Sequence, residues 1–237
     1  MTRPTALVTG GSGGIGRACV AELASDHDVA VHYNSDREGA EAAVAAAESQ
    51  GADGLAVQAD LREFDEIEAM FDEVMDRFDH LDVLVNNAAV FFMQGLLELS
   101  PEQIRTTMRV NTEGTIFVTR AALPALLEDG GNVVTISSRA GTRGSPTDPT
   151  YGASKAGVIG LTQSIARNYT EDGIFANVVA PGAVDTKMFP DERRPARREA
   201  SPIGRLVKPE EVAEAVRLFA DTEAISGRVL EIDGGAA

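Results

Sequence analysis

Short runs of β-branched and apolar residues alternate with longer amphipathic stretches along the whole chain. The runs at 6–9 (ALVT), 29–33 (VAVHY), 54–58 (GLAVQ), 82–85 (DVLV), 132–137 (NVVTIS), 175–180 (FANVVA) and 228–232 (RVLEI) read as seven strands. Between them apolar positions recur at helical spacing over about 14–25, 36–50, 63–78, 101–128, 151–170 and 208–220. Ser100 before Pro101, and Lys208 before Pro209 with its acidic first turn, mark two of the helix starts. Near-continuous apolar strands are stable only when both faces of their sheet are covered. The pattern therefore predicts an α/β fold with a single Rossmann-type doubly wound parallel sheet of seven strands and helices on both faces. No repeat or linker interrupts the 237 residues, so a single domain over 1–237 is expected. One irregular stretch, about 184–205 with Pro190, Pro195 and Pro202, is expected to form a substrate loop over the C-terminal edge of the sheet.

Thr9-Gly10-Gly11-Ser12-Gly13-Gly14-Ile15-Gly16 follows the first strand and opens the first helix. Glycines there let the backbone approach a pyrophosphate, and the helix N-terminus offers unpaired N–H groups to it. Two registers fit: Gly11, Gly13 and Gly16 as G-x-G-x-x-G, or Gly10, Gly14 and Gly16 as the spaced T-G-x-x-x-G-x-G form. At the end of the second strand, Tyr33-Asn34-Ser35-Asp36-Arg37 presents neutral Asn34 and Ser35 to an adenosine ribose, with Arg37 in reach of a 2'-phosphate. NADP is the expected cofactor on that ground. NAD stays open, because Asp36 is either a ribose ligand or a cap of the next helix.

Composition narrows the function classes. With 37 acidic residues against 21 basic ones, the formal charge of -16 disfavours nucleic acid as a partner. It fits a protein adapted to concentrated salt, or simply an acidic cytosolic one. No run approaches the roughly 18 apolar residues of a membrane span, and the N-terminus enters a strand without a signal-peptide pattern, so a cytoplasmic location off the membrane is expected. Cys19 reads as a small buried hydrophobe. His27, His32 and His80 are scattered without ligand spacing, read as packing residues, and no metal is expected. Arg193, Arg194, Arg197 and Arg198 form a basic cluster that either attracts an anionic substrate or pairs with Asp191, Glu192 and Glu199.

Tyr151-Gly152-Ala153-Ser154-Lys155 sets a phenol and an ammonium four residues apart, on one face of a helix. A nearby cation lowers a phenol pKa toward the range useful for proton exchange. Ser137 and Ser138 end the preceding strand, which points to a catalytic constellation.

At this point the sequence resembles the short-chain dehydrogenase/reductase family over essentially its whole length. The match comprises the T-G-x-x-x-G-I-G turn at 9–16, Asp60 after the third strand, Asn86-Asn87-Ala88 after the fourth and Asn111 in the following helix. Ser138, Tyr151 with Lys155, and Pro181-Gly182 with Thr186 complete it. The resemblance implies that Tyr151 is the general acid in carbonyl reduction, Ser138 bonds the substrate carbonyl, and Lys155 binds the nicotinamide ribose while lowering the phenol pKa. It implies that Asn111 holds a relay water beyond Lys155.

For the dinucleotide it implies contacts from Gly10, Ser12, Gly13, Gly14, Ile15 and Gly16 around the pyrophosphate and from Asn34, Ser35 and Arg37 at the ribose. Asp60 and Leu61 would meet the adenine, Asn87, Ala88 and Ala89 the adenosine and ribose, and Pro181, Gly182, Val184 and Thr186 the nicotinamide. Ala89 stands where the family more often has glycine, and Gly13 where many NADPH-preferring members have a basic residue. Within the family the chain is most similar to the 3-oxoacyl thioester reductases, with sugar or polyol dehydrogenases next; a non-catalytic NADP(H) sensor is the alternative of another class. Acidic Glu128, Asp129, Glu171 and Asp172, read as rimming the active site, favour a CoA thioester or small ketone over a carrier-protein substrate. A homotetramer is implied, built in part through the helices at 101–128 and 151–170.

Overall fold

The computed structural model describes residues 3–188 and 191–235; Pro190, in the expected substrate loop, lies outside them. Seven parallel strands form one sheet in the order β3-β2-β1-β4-β5-β6-β7. They are β1 (Thr5–Val8), β2 (Asp28–Tyr33), β3 (Gly54–Gln58), β4 (Val83–Asn86), β5 (Gly131–Ile136), β6 (Ile174–Pro181) and β7 (Val229–Ile232). The chain winds outward from β1 to β3, then crosses to β4 on the other side of β1. This reversal opens a crevice above the C-terminal ends of β1 and β4, where open sheets of this type bind ligands.

Side chains alternate across each strand, so neighbouring residues enter different cores. Ala6 and Val8 of β1 pack on one side with Val20, Leu23, Val31, Val212 and Phe219, under α1 (Gly14–Leu23), α2 (Arg37–Glu48) and α9 (Pro209–Ala220). Leu7 faces the other way and packs with Leu84, Met70, Phe71, Val118 and Leu126, beneath α3 (Phe64–Phe78) and α5 (Thr115–Asp129). The register Leu7↔Leu84 and Leu84↔Val133 stacks three central strands over that second core. No helix among the described residues is long and apolar enough to cross a membrane.

Three features depart from the sequence pattern. The stretch 101–128 is not one regular helix. It divides into α4 (Pro101–Met108), started by a reciprocal Ser100–Gln103 capping box, a π-helical turn Arg109–Gly114, and α5. A Cβ at Gly114 would sit 2.7 Å from the Leu61 carbonyl, so the bulge falls where the helix must lie against that backbone. The short α6 (Arg139–Arg143) follows β5, and α7 (Pro149–Tyr169) begins two residues before the expected start because Asp148 caps it. The stretch 184–205 is not wholly irregular: it holds a 3-10 turn, Asp191–Arg193, and α8 (Arg194–Glu199).

Leu84 is 0% exposed at the centre of the sheet. Leu84→Ala is expected to cost about 2–5 kcal/mol of stability through lost burial and the cavity left behind. A denaturant titration checks it, and a loss under about 1 kcal/mol would mean that this core collapses freely around the gap.

Candidate active site

The crevice is floored by the glycine turn. Gly10 adopts φ +63°, and a Cβ there would lie 2.9 Å from Ala88 Cα. At Gly14 a Cβ would meet Thr186 Cγ2 at 2.6 Å, and at Gly16 it would strike the Gly10 carbonyl at 2.2 Å. At Gly13 the nearest atom is 3.4 Å away, an ordinary contact. A Cβ is thus excluded at Gly10, Gly14 and Gly16, and also at Gly11, where it would lie 2.7 Å from Val31 Cγ1; only Gly13 has room, which favours the spaced register. Gly13, at the N-cap of α1, has no side chain to satisfy the helix N–H groups, which leaves them for an anion. Ser12, Gly13 and Gly14 line the surface of the crevice, while Ile15 packs into the core below. A dinucleotide pyrophosphate fits this backbone cradle.

Neighbouring strands hold the cradle in shape. Thr9 Oγ1 accepts the N–H groups of Asn87 and Ala88 at 2.9 and 3.1 Å, and Asn87 Nδ2 donates to the carbonyls of Thr9 and Gly10 at 2.9 and 3.1 Å. From β2, buried His32 Nδ1 accepts the Gly10 N–H at 3.0 Å, and its Nε2 lies 3.0 Å from the Ala59 carbonyl. A nitrogen that accepts carries no proton, so the ring is the neutral Nε2–H tautomer. Burial also holds its pKa below the usual histidine value. Read as a packing residue in the sequence, His32 is a brace between β1, β2 and the end of β3. Ala89 has no positive φ, so its methyl group is accommodated where many relatives have glycine.

At the end of β2, Asp36 is a helix cap: its carboxylate accepts the Gly39 N–H at 3.0 Å. Exposed Asn34 and Ser35 carry no charge, and Arg37 lies 5.7 Å from the Tyr33 ring centroid with Glu41 at 3.4 Å. Asp60 is ion-paired with Arg62, which holds its carboxyl below the usual range, and Leu61 beside it is buried. On the far side Pro181 ends β6, the Gly182 N–H donates to the Ile232 carbonyl, and Val184 bridges to Val207. Arg194 ties this segment down through Asp185, Asp191 and the Thr186 carbonyl. Arg194 of the basic cluster is therefore paired, while Arg197 lines a small cavity with Arg139, Arg205, Ser201 and Asp233.

Ser138, Tyr151 and Lys155 converge at the C-terminal end of β5. Ser138 is extended at the start of α6 and hydrogen-bonds the Tyr151 phenol. Lys155 is 3% exposed and donates from Nζ to the Ile136 carbonyl at 2.8 Å, 5.8 Å from the Tyr151 ring centroid. Burial brings its ammonium down to about 8 and pushes the Tyr151 phenol up to about 12. The net direction at Tyr151 is opposite to the expected lowering, because loss of solvent around the phenol outweighs the hydrogen bond from Ser138. Asn111, in the π-helical turn, is 0% exposed; its Oδ1 accepts the Val90 N–H at 2.8 Å and its Nδ2 donates to the Val90 carbonyl and Ser154 Oγ. Its side chain thus braces the Val90 backbone against Ser154. The acidic residues read as a rim are elsewhere: Glu128 and Asp129 precede β5 and Glu171 and Asp172 precede β6, at the sheet edge opposite Tyr151. Within this chain they do not border the site.

A family model described as enoyl-(acyl carrier protein) reductase matches residues 10–237. The 3-oxoacyl-[acyl-carrier-protein] reductase FabG of Staphylococcus aureus is 36% identical over 238 residues, 98% of this chain and 97% of that protein. Carbonyl reductase family member 4 of Xenopus laevis is 37% identical over 229 residues, 96% of this chain and 95% of that one. Among solved structures, a short chain dehydrogenase from Burkholderia cenocepacia in complex with NADP superposes with a TM-score of 0.93 at 38% identity, covering 99% of this chain and 97% of that one.

The His32 brace has a pH signature. Its folded pKa is depressed, so below about 6.5 the unfolded chain takes up a proton that the folded chain refuses, and stability falls as pH drops through that value. His32→Asn keeps an acceptor for the Gly10 N–H without a titrating group. Wild type is expected to lose more melting temperature than this variant between pH 7.5 and 5.5. His80, whose pKa is raised, acts in the opposite sense but is common to both proteins and cancels. Equal losses would show that His32 is protonated without cost.

Proposed function

Since the chain belongs to the short-chain dehydrogenase/reductase family of NAD(P)-dependent oxidoreductases, we propose that it uses NADPH to reduce a 3-oxoacyl thioester or a related ketone to the alcohol. The observation that carries this reading is the convergence of Ser138, Tyr151 and Lys155 beside a glycine cradle with no room for a side chain at Gly10, Gly14 or Gly16. The NADP bound to the Burkholderia cenocepacia protein and the acyl thioester reductases among the relatives support cofactor and substrate class. So does the strand end after Tyr33, where Asn34 and Ser35 are neutral and the Asp36 carboxylate is folded back onto the Gly39 N–H.

When bound, the dinucleotide supplies the hydride. The chain positions the carbonyl and manages the proton. Ser138 hydrogen-bonds the carbonyl oxygen, and Tyr151 Oη donates its proton to that oxygen as charge develops there. With its pKa at about 12 the phenol is fully protonated at neutral pH, the form that reduction requires. Lys155, near 8, is mostly cationic there; it holds the nicotinamide ribose and stabilises the phenolate left behind. Asn111 keeps the backbone around Val90 against the catalytic helix through Ser154, whose Oγ in turn donates to the Tyr151 carbonyl at 2.8 Å. The chain acts as a single catalytic domain, with α8 and its flanks as the substrate lid.

Assembly and surroundings belong to the same proposal: a cytoplasmic homotetramer adapted to salt. Ala153, Ala156, Gly157 and Gly160 form an exposed strip along α7, with Met108 and Ile116 exposed on α4 and α5. Helices with such small residues pack closely against a second copy. On α3, no ion pair among the described residues reaches exposed Asp65, Glu68, Asp72, Glu73 or Asp76.

Two measurements follow. Tyr151→Phe should retain NADPH binding yet lose turnover on 3-oxoacyl thioesters by about a hundredfold or more; near-wild-type turnover, or a clear preference for NADH in the parent enzyme, would reject the mechanism or the cofactor. Raising potassium chloride from 0.1 M to about 2 M shortens the screening length from about 10 Å to well under 5 Å. The melting temperature should rise, with light scattering reporting four copies. An unchanged or lower midpoint ends the salt proposal, and a monomer mass ends the tetramer.

A further inference from the structure

Three residues before Tyr151 lies Asp148, a carboxylate with 0% exposure. Its Oδ1 accepts the Tyr151 N–H at 3.0 Å, as the cap of α7. Its Oδ2 accepts the N–H groups of Phe92 and Met93, at 3.1 and 3.3 Å. A helix cap needs one oxygen. The second reaches more than fifty residues back along the chain, to the segment that leaves β4. Met93 there has φ +56°, a conformation that a non-glycine residue keeps only when its surroundings impose it. Phe91 lays its ring against that of Tyr151, with centroids 4.8 Å apart and planes inclined by 51°.

We propose that Asp148 is a positioning residue for the proton transfer at Tyr151: its carboxylate clasps the Phe92–Met93 backbone to the first turn of α7, seats Phe91 against the phenol ring, and sets a negative charge beside it. This rests on the reductase reading given above. The groups that face the phenol are few. Lys155 comes from the same helix, with Nζ held by the Ile136 carbonyl; Ser138 comes from the end of β5; the segment after β4 contributes only the apolar Phe91 ring. Asp148 is thus the anion opposing Lys155. Its charge adds to burial in keeping the proton on the phenol. A serine or threonine cap would satisfy the Tyr151 N–H without charge and without a second oxygen for the segment after β4. The clasp therefore biases the site toward the protonated phenol that delivers a proton to a carbonyl oxygen. It works against the phenolate, the form that accepts a proton from an alcohol.

The chain has three tyrosines and no tryptophan, so ultraviolet difference absorbance reports tyrosinate alone. Subtracting the Tyr151→Phe spectrum isolates Tyr151 from Tyr33 and Tyr169. After rapid pH jumps, Asp148→Asn is expected to bring the Tyr151 midpoint down by about one pH unit. Its amide nitrogen cannot accept a hydrogen bond, so the clasp weakens, and hydrogen exchange at Phe92 and Met93 should accelerate by about tenfold or more. The pH profile of alcohol oxidation should shift toward neutrality with the phenol midpoint. Asp148→Ser, which keeps the helix cap, carries the same expectations should the asparagine variant fold poorly. A midpoint that stays or rises, or unchanged exchange at both amides, overturns the proposal. Absorbance and exchange need no substrate, so a wrong substrate assignment leaves both readouts intact.

Discussion

The arrangement depends first on how closely the backbone packs where β1 turns into α1. The Gly10 carbonyl occupies the space that any Cβ at Gly16 would need, and the Gly10 α-carbon lies against Ala88. That proximity aims the N-terminus of α1 into the crevice between β1 and β4. Three neighbours enforce it: Asn87, just after β4, through its bonds to the Thr9 and Gly10 carbonyls, His32 in β2, and Thr9, just after β1. A loop so fixed is a preorganised anion site, since no conformational entropy remains to be lost when a pyrophosphate arrives.

Much of this was legible in the chain itself. All seven strands appear as apolar runs because a parallel sheet covered on both faces leaves no polar alternation to confuse the reading. The glycines, Ser138, Tyr151 and Lys155 announced themselves by residue type and spacing. The glycine register did not, because Gly11, Gly13 and Gly14 are indistinguishable until the neighbours that a Cβ would strike, such as Thr186, are known. The π-helical turn was invisible for a related reason: the backbone that Gly114 packs against, at Leu61, lies about fifty positions away in the chain. His32 looked like a packing residue because its two partners, Gly10 and Ala59, are backbone atoms of other strands. Asp148 left a readable trace, since an aspartate directly before Pro149 signals a helix start, but the role of its second oxygen depends on a segment far away in sequence.

The catalytic corner shows how burial can exceed a neighbouring charge. A cation near a phenol lowers its pKa in water, yet here the phenol and the ammonium are buried together and each is driven toward its neutral form. The phenol goes up and the ammonium comes down. Burial is the largest cause of both shifts, in the dry wall formed where β5, α7 and the segment after β4 meet, and Asp148 adds to it at the phenol. A dry wall is also what makes small electrostatic differences large, so Ser138 and Asp148 count for more here than exposed groups of equal charge would.

The contrast between this corner and the surface explains how an acidic chain can house a cation at its centre. Of the three lysines, Lys155 alone is buried, and it is held by a carbonyl rather than by a carboxylate. An ion pair at that point would lock the ammonium away from a ribose; a neutral acceptor orients it while leaving its charge and two further N–H donors available. The arginines, by contrast, are mostly spent on the surface acids, as in Arg77 with Asp53, Arg205 with Glu211 and Arg217 with Asp26 and Asp221. These pairs knit the outside of the fold, but each consumes one basic group and leaves the acidic excess undiminished. The excess charge therefore collects on helix faces such as that of α3, far from the crevice. The potential inside the crevice is set instead by a few fixed groups: the α1 N-terminus, Lys155, Asp148 and the Asp60–Arg62 pair. A chain can thus acquire a heavily acidic exterior without disturbing its proton chemistry, provided that the charges around the phenol are buried, few and held by backbone.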